Sequence, residues 1–187
     1  MKRYLLFILI VMVFIFGILE VFIKLSEENY LNKILMNSEK KHYLSDSLLC
    51  MLKPINTTDY IIVINIWESW CAPCIKEIPE LNRLKADFNN RKVHFISLTS
   101  SSQAECDKVL SQRKLIFSYS LLYERKDLIS KIDSVYYADQ PIRTVVPKHI
   151  IIDNKGCIIS FYEGSSPENI LKMKLYLERY APYKLSI

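Results

Sequence analysis

The chain has 187 residues, half of them hydrophobic, and 25 Lys and Arg against 20 Asp and Glu leave a net charge of +5. The lysines are scattered among glutamates and form no basic stripe interleaved with aromatics, which speaks against nucleic acid as a partner. No internal repeat, low-complexity tract or phosphate-binding glycine loop is present, and the length suits one domain with a sizeable core.

Met1-Lys2-Arg3 leads into an apolar run from Tyr4 to Ile23, interrupted by Gly17 and Glu20. A run of about twenty residues can cross a hydrocarbon core as a helix. Leu19-Glu20-Val21-Phe22-Ile23-Lys24 offers no small-residue cleavage site, and no cysteine lies near enough for lipid attachment. An uncleaved anchor over residues 1–24 is therefore preferred to a cleaved signal, with Lys2 and Arg3 on the cytoplasmic side and the remaining chain carried across. Residues 25–44 are charged, with Leu31, Ile34 and Leu35 spaced among polar residues, and read as a stalk. Residues 45–187 form the expected domain. Its first segment, Leu48-Leu49-Cys50-Met51-Leu52, has a core-like composition.

The run Tyr60-Ile61-Ile62-Val63-Ile64-Asn65-Ile66 is β-branched and apolar enough for a fully buried strand. Beyond it, Cys74, Ile78, Leu81, Leu84 and Phe88 share one helical stripe. Between them stands Trp70-Cys71-Ala72-Pro73-Cys74, two cysteines three apart where a strand hands over to a helix. Such a pair can form a reversible disulfide. Cys71 falls at the helix N-terminus, where unpaired N–H groups and the positive dipole end favour a thiolate, so it is the expected attacking sulfur. Cys74, one turn in, is the expected resolving thiol. Pro73 sits in the first turn, where its missing N–H costs nothing. A zinc site is the competing account of the pair, but no second C-x-x-C and no H-x-x-x-H follows.

Further along, Lys92 to Thr99 reads as a strand and Gln103 to Arg113 as a helix capped by Ser101 or Ser102. Residues Ile116 to Tyr123 look extended, and a short helix is expected around Asp127 to Asp133. Val145 to Ile152 and Cys157 to Tyr162 flank the turn Asp153-Asn154-Lys155-Gly156 and predict a hairpin. A last helix is capped by Ser166, opened by Pro167 and ends near Pro182. Strands alternating with helices place the domain in the α/β class, without singling out one α/β fold.

The segment from Asn65 to Pro79 resembles the TlpA/ResA-like thiol-disulfide oxidoreductases of the thioredoxin superfamily, whose pattern is an N-F-W-A-x-W-C-x-P-C run with a proline five residues later. Pro79 holds that later position and is expected to kink the helix. Val145-Val146-Pro147-Lys148-His149-Ile150-Ile151-Ile152-Asp153 resembles the second segment of the same family, whose proline is cis and lies beside the cysteine pair. The resemblance covers roughly residues 45 to 180. It implies a thioredoxin-like sandwich, a central mixed β-sheet flanked by helices, here preceded by one N-terminal transmembrane helix. It also implies a redox disulfide between Cys71 and Cys74, a cis Pro147, and a substrate contacted by Trp70, Pro73, Val146 and Pro147. Where thioredoxin has a buried aspartate, this chain has Asn65, which cannot take up a proton. Relatives of the TlpA/ResA type place a glutamate three residues after the second cysteine, and Glu77 stands there. A carboxylate so close to two thiols is suited to managing the proton of Cys74.

The function so implied is reduction of disulfides in exported proteins, apocytochrome c among them. Electrons would come from a membrane thiol reductase, on the extracytoplasmic side of a bacterial inner membrane, and no cofactor would be needed. An oxidase would run the same steps backwards, and the sequence does not set the direction. The alternative is Cu(I) handling by a thioredoxin-like metallochaperone through Cys71, Cys74 and His149. Cys106 shares a helical face with Val109 and Leu110, and Cys157 alternates with Ile159 and Phe161, so both are expected to be buried thiols.

Overall fold

The computed structural model describes residues 12, 14–22, 24–26, 42–52, 60–138 and 141–184. They fall in two units, residues 1–37 and 38–187. In the first unit, residues 14–22 and 24–26 are helical, and Phe14, Phe16, Ile18, Val21 and Phe22 are all exposed. Among the described residues no helix is long and apolar enough to cross a membrane. Residues 1–11, 13 and 23 of the expected anchor and most of the expected stalk lie outside the described residues.

The second unit contains six strands and five helices among its described residues, in the order β1 (His42–Tyr43), α1 (Asp46–Leu52), β2 (Ile61–Ile66), α2 (Ala72–Asp87), β3 (Val93–Leu98), α3 (Gln103–Arg113), β4 (Ser120–Leu122), α4 (Lys126–Tyr136), β5 (Lys148–Ile152), β6 (Cys157–Glu163) and α5 (Pro167–Tyr180). One mixed sheet runs β1-β6-β5-β2-β3-β4. β2, β3 and β4 are parallel, whereas β5 is antiparallel to β2 and to β6, and β1 is antiparallel to β6. This is the thioredoxin-like arrangement.

β2 and β5 occupy the middle, and every residue of both strands is buried. That is why their sequences read as continuous apolar runs, since a strand covered on both faces has no solvent side to alternate toward. One face carries the larger apolar cluster, in which Ile62, Ile64, Ile66, Ile150 and Ile152 pack against Leu48, Leu52, Leu128 and Ile132 of α1 and α4. α2 and α5 pack against each other. Trp67, Cys71, Cys74 and Ile78 join Cys106, Leu110 and Phe117 in a second cluster around the head of α2.

The local signals act largely as their chemistry dictates. Ser102 and Glu105 form a reciprocal capping box on α3, and Ser166 caps α5 with Pro167 in its first turn. Asp153 Oδ1 accepts from the N–H groups of Lys155 and Cys157 at 2.9 and 2.8 Å, which closes the β5–β6 turn. Gly156 has φ +85°, and an added Cβ would lie 3.3 Å from the Leu44 carbonyl oxygen, so both conformation and space call for glycine.

Several expectations are revised. β1 was not anticipated; two residues long, it carries too little pattern to be legible and exists through pairing with β6. The extended segment around Ile116 is a strand only over Ser120–Leu122, and the short helix around Asp127 runs from Lys126 to Tyr136. Cys50 is exposed, because the buried side of α1 is taken by Leu48, Leu49 and Leu52. Cys106 and Cys157, by contrast, are buried as expected. Pro79 lies inside α2, which spans Ala72–Asp87.

Candidate active site

The end of β2 delivers the chain to a loop built on a buried carboxylate. Glu68 is 7 % exposed and accepts hydrogen bonds from Thr99 Oγ1 at 3.2 Å, Ser100 N at 3.1 Å, and the hydroxyls of Ser100 and Ser101, both at 2.7 Å. Ser101 Oγ accepts in turn from the Ser69 N–H at 3.1 Å. This fastening ties the loop before the cysteines to the loop after β3. Sequence reasoning overlooked it, because a glutamate between two tryptophans carries no motif, and its partners are thirty residues away. Trp67 is fully buried, with its ring 5.2 Å from Phe117, whereas Trp70 is 73 % exposed.

Cys71 is the N-cap of α2 and is disulfide-bonded to Cys74, with their Cα atoms 5.3 Å apart. The Cys74 N–H points at Cys71 Sγ from 3.3 Å, so the helix N-terminus offers a donor to this sulfur. Cys71 Sγ also lies 3.8 Å from the Val146 carbonyl oxygen. In the disulfide that sulfur has no proton to donate, so the approach is a van der Waals contact. The Val146–Pro147 peptide is cis, and Pro147 is buried. Cys71 and Cys74 are both buried, while Ala72 and Pro73 are exposed beside Trp70. Trp70, Pro73, the cysteine pair, Val146 and Pro147 are thus brought to one end of the sheet.

A cleft of about 280 Å³ opens beside this end, lined by Trp70, Ile129, Ile142, Val145 and Val146 with Glu68 and Lys148 among its polar groups. Lys148 is 2 % exposed, and its Nζ donates to both carboxylate oxygens of Asp133, at 2.7 and 2.8 Å, and to the Arg143 carbonyl at 2.8 Å. Burial raises the Asp133 pKa, and Lys148 opposes that shift.

On the other side of β5, Glu77 is 6 % exposed, and its Oε2 lies 3.3 Å from Nε2 of the fully buried His149. The ring N–H is not aimed at the oxygen, and neither group has an aligned hydrogen bond among the described residues. The pairing of a helix glutamate with a histidine more than seventy residues away had no sequence signal. Asn65 sits opposite His149 in the sheet register, and its amide donates to Ser97 Oγ at 3.2 Å. Tyr119 stands nearby; burial raises its pKa, with the Glu77 charge adding to the rise and Asn65 opposing it.

The residues of the Cu(I) alternative do not form a ligand cluster here. Among the described residues no three His, Cys, Asp or Glu side chains converge as metal ligands, and the His149 ring faces Glu77. Cys106 lies buried behind the loop, where desolvation pushes its thiol up to about 11.

A family model described as Redoxin matches residues 52–175, more than half of the chain. The thioredoxin-like protein YneN of Bacillus subtilis is 22 % identical over 118 residues, covering 63 % of this chain and 64 % of the relative. The thiol-disulfide oxidoreductase ResA of Bacillus anthracis is 25 % identical over 122 residues, covering 65 % and 64 %. The chain therefore spans just under two thirds of the length of the curated relatives it matches. A thiol:disulfide interchange protein of the thioredoxin family from Chlorobium tepidum TLS superposes with a TM-score of 0.51 at 17 % identity, over 63 % of this chain and 79 % of that one. This likeness establishes the fold. The chain belongs to the Redoxin family.

Proposed function

We propose that this Redoxin-family chain is a membrane-anchored, extracytoplasmic thiol-disulfide oxidoreductase that reduces disulfides in exported proteins. The observation that carries the reading is the Cys71–Cys74 disulfide, set on the N-terminus of α2 and against the cis Val146–Pro147 peptide. Reduced Cys71 attacks a substrate disulfide as the thiolate and forms a mixed disulfide with one substrate sulfur; the other leaves and takes a proton. Cys74 then attacks Cys71 Sγ, the Cys71–substrate bond breaks, and the second substrate sulfur leaves as a thiol. The two electrons gained by the substrate come from the dithiol, which a membrane thiol reductase restores by exchange.

Glu77 serves as the acid/base that removes the Cys74 proton, since it lies one helical turn beyond Cys74 on the same buried face. Exposed Trp70 and Pro73, with Val146, form the surface that a substrate segment meets. Apocytochrome c is one such exported substrate. The apolar run from Tyr4 to Ile23 is the anchor, supported by the exposed apolar side chains of its described helical residues, and the bacterial inner membrane is the location.

A redox titration, reading the Cys71/Cys74 state by thiol alkylation and mass, tests this reading. A two-electron couple near about −270 mV supports a reductase, and one near about −120 mV makes the protein an oxidase. Failure of the two cysteines to pair at any potential overturns the redox reading.

A further inference from the structure

The buried contact between Glu77 and His149 has no counterpart in the chemistry assigned so far. A carboxyl group buried without a partner favours its neutral form, and a neutral carboxyl cannot take a proton from a thiol. Glu77 is not without a neighbour of this kind, since a ring nitrogen of the buried His149 lies 3.3 Å from its Oε2. We propose that His149 is a positioning residue that keeps Glu77 a proton acceptor and thereby sets the pH range in which Cys74 resolves the mixed disulfide. The inference rests on the oxidoreductase reading above.

The surroundings leave His149 as the group able to do this. It is fully buried at the second position of β5, with Asn65 of β2 and Tyr162 of β6 as its register partners on the same face of the sheet. Asn65 and the neighbouring Ser97 are neutral at every pH of interest. Tyr119, ahead of β4, and Tyr162 are held as neutral phenols, because burial raises the pKa of each. Tyr176 of α5, beyond Tyr162, is raised by burial in the same way. From α2 the titratable groups are Glu77 itself and Cys74, with Cys71 at its head. A proton released by Cys74 therefore meets one carboxylate and one imidazole in a neutral pocket closed to water.

The step balances within these groups. Cys74 Sγ loses its proton to Glu77 and attacks Cys71 Sγ. The Cys71–Cys74 bond forms as the Cys71–substrate bond breaks, and the departing substrate sulfur keeps that bond's electron pair. The proton, held between Glu77 and His149, returns to solvent or to the departing thiolate. No other oxidant or reductant is required.

The test uses the full chain carrying Cys50→Ser, which removes the exposed thiol outside the pair, in detergent micelles, reduced and mixed rapidly with dithiobis(nitrobenzoate). The first chromophore is released as Cys71 attacks the probe, and the second as Cys74 displaces it from Cys71. In His149→Leu the second phase moves to higher pH by about one unit, so it is about tenfold slower just below neutrality, with the first phase unchanged. Adding His149→Leu to Glu77→Gln leaves the second phase as it is in Glu77→Gln alone. A folded His149→Leu whose second phase matches the parent, or a double variant slower than Glu77→Gln, overturns the inference.

A measurement on the unsubstituted chain guards against a variant that fails to fold. The imidazole nitrogen resonances of His149 should titrate at different pH in the oxidised and reduced forms, and identical titrations overturn the inference as well. Absence of both chromophores from the reduced parent chain would overturn the oxidoreductase reading and this inference with it. A normal first phase with an unaltered second phase overturns this inference alone.

Discussion

Lys148 Nζ grips both carboxylate oxygens of Asp133, at 2.7 and 2.8 Å, on the face of the sheet opposite the one where its neighbour His149 meets Glu77. The first two residues of β5 therefore each bury a basic side chain, one against α4 and one against α2, directly after the cis Val146–Pro147 peptide. Alternation along a strand produces this arrangement.

Removing one partner of the Lys148–Asp133 pair leaves the other charge buried. Asp133→Ala should destabilise the domain by about 3–5 kcal/mol, whereas replacing both residues by apolar ones of similar volume should cost far less. Denaturant midpoints of the single and double variants check this.

The pH dependence of the same pair follows from its sign. The folded-state pKa of Asp133 is raised by burial, so the folded chain holds this proton more tightly than the unfolded one. Its contribution to stability is therefore greatest below the ordinary value of 3.8 and declines as pH climbs through the raised folded-state value. Asp133→Asn should flatten that decline, read as the denaturant midpoint against pH.

Glu68 is the acceptor for four hydrogen bonds from Thr99, Ser100 and Ser101. Glu68→Ala leaves those donors without it at a largely buried site and should cost at least about 2 kcal/mol. Because the loop it fastens carries Trp70 to Cys71, disulfide exchange should slow even where the variant is folded. Exchange rates measured well below the unfolding transition separate the two effects.

The cysteine roles are separable. Cys71→Ser should abolish exchange and leave the fold intact, and Cys74→Ser should accumulate a mixed disulfide with substrate, visible by mass. Trapping by the Cys71 variant in place of the Cys74 variant would reverse the assignment.

The thiols outside the pair differ in reactivity for a physical reason. Cys106 is fully buried with its pKa pushed up to about 11, so in the folded chain at about pH 8 it should resist alkylation. Cys50, exposed on α1, should be modified readily. Equal labelling of the two by mass spectrometry would contradict the buried placement of Cys106.

Local chemistry determined much of this molecule from its sequence alone. The buried runs of β2 and β5, the cysteine pair at the head of α2, the caps of α3 and α5 and the Asp153 turn each depend on residues within a few positions of one another, which is the range over which periodicity and capping act. The same spacing showed that Glu77 follows Cys74 by one turn. What Glu77 and Glu68 touch was decided by tertiary structure. Their partners, His149 and the Thr99–Ser101 loop, come from distant strands, and a buried charge leaves no periodic trace announcing which far-off group will meet it. Cys50 shows the same limit in reverse, since an apolar segment becomes a helix with one exposed side only once the sheet has chosen which side to cover.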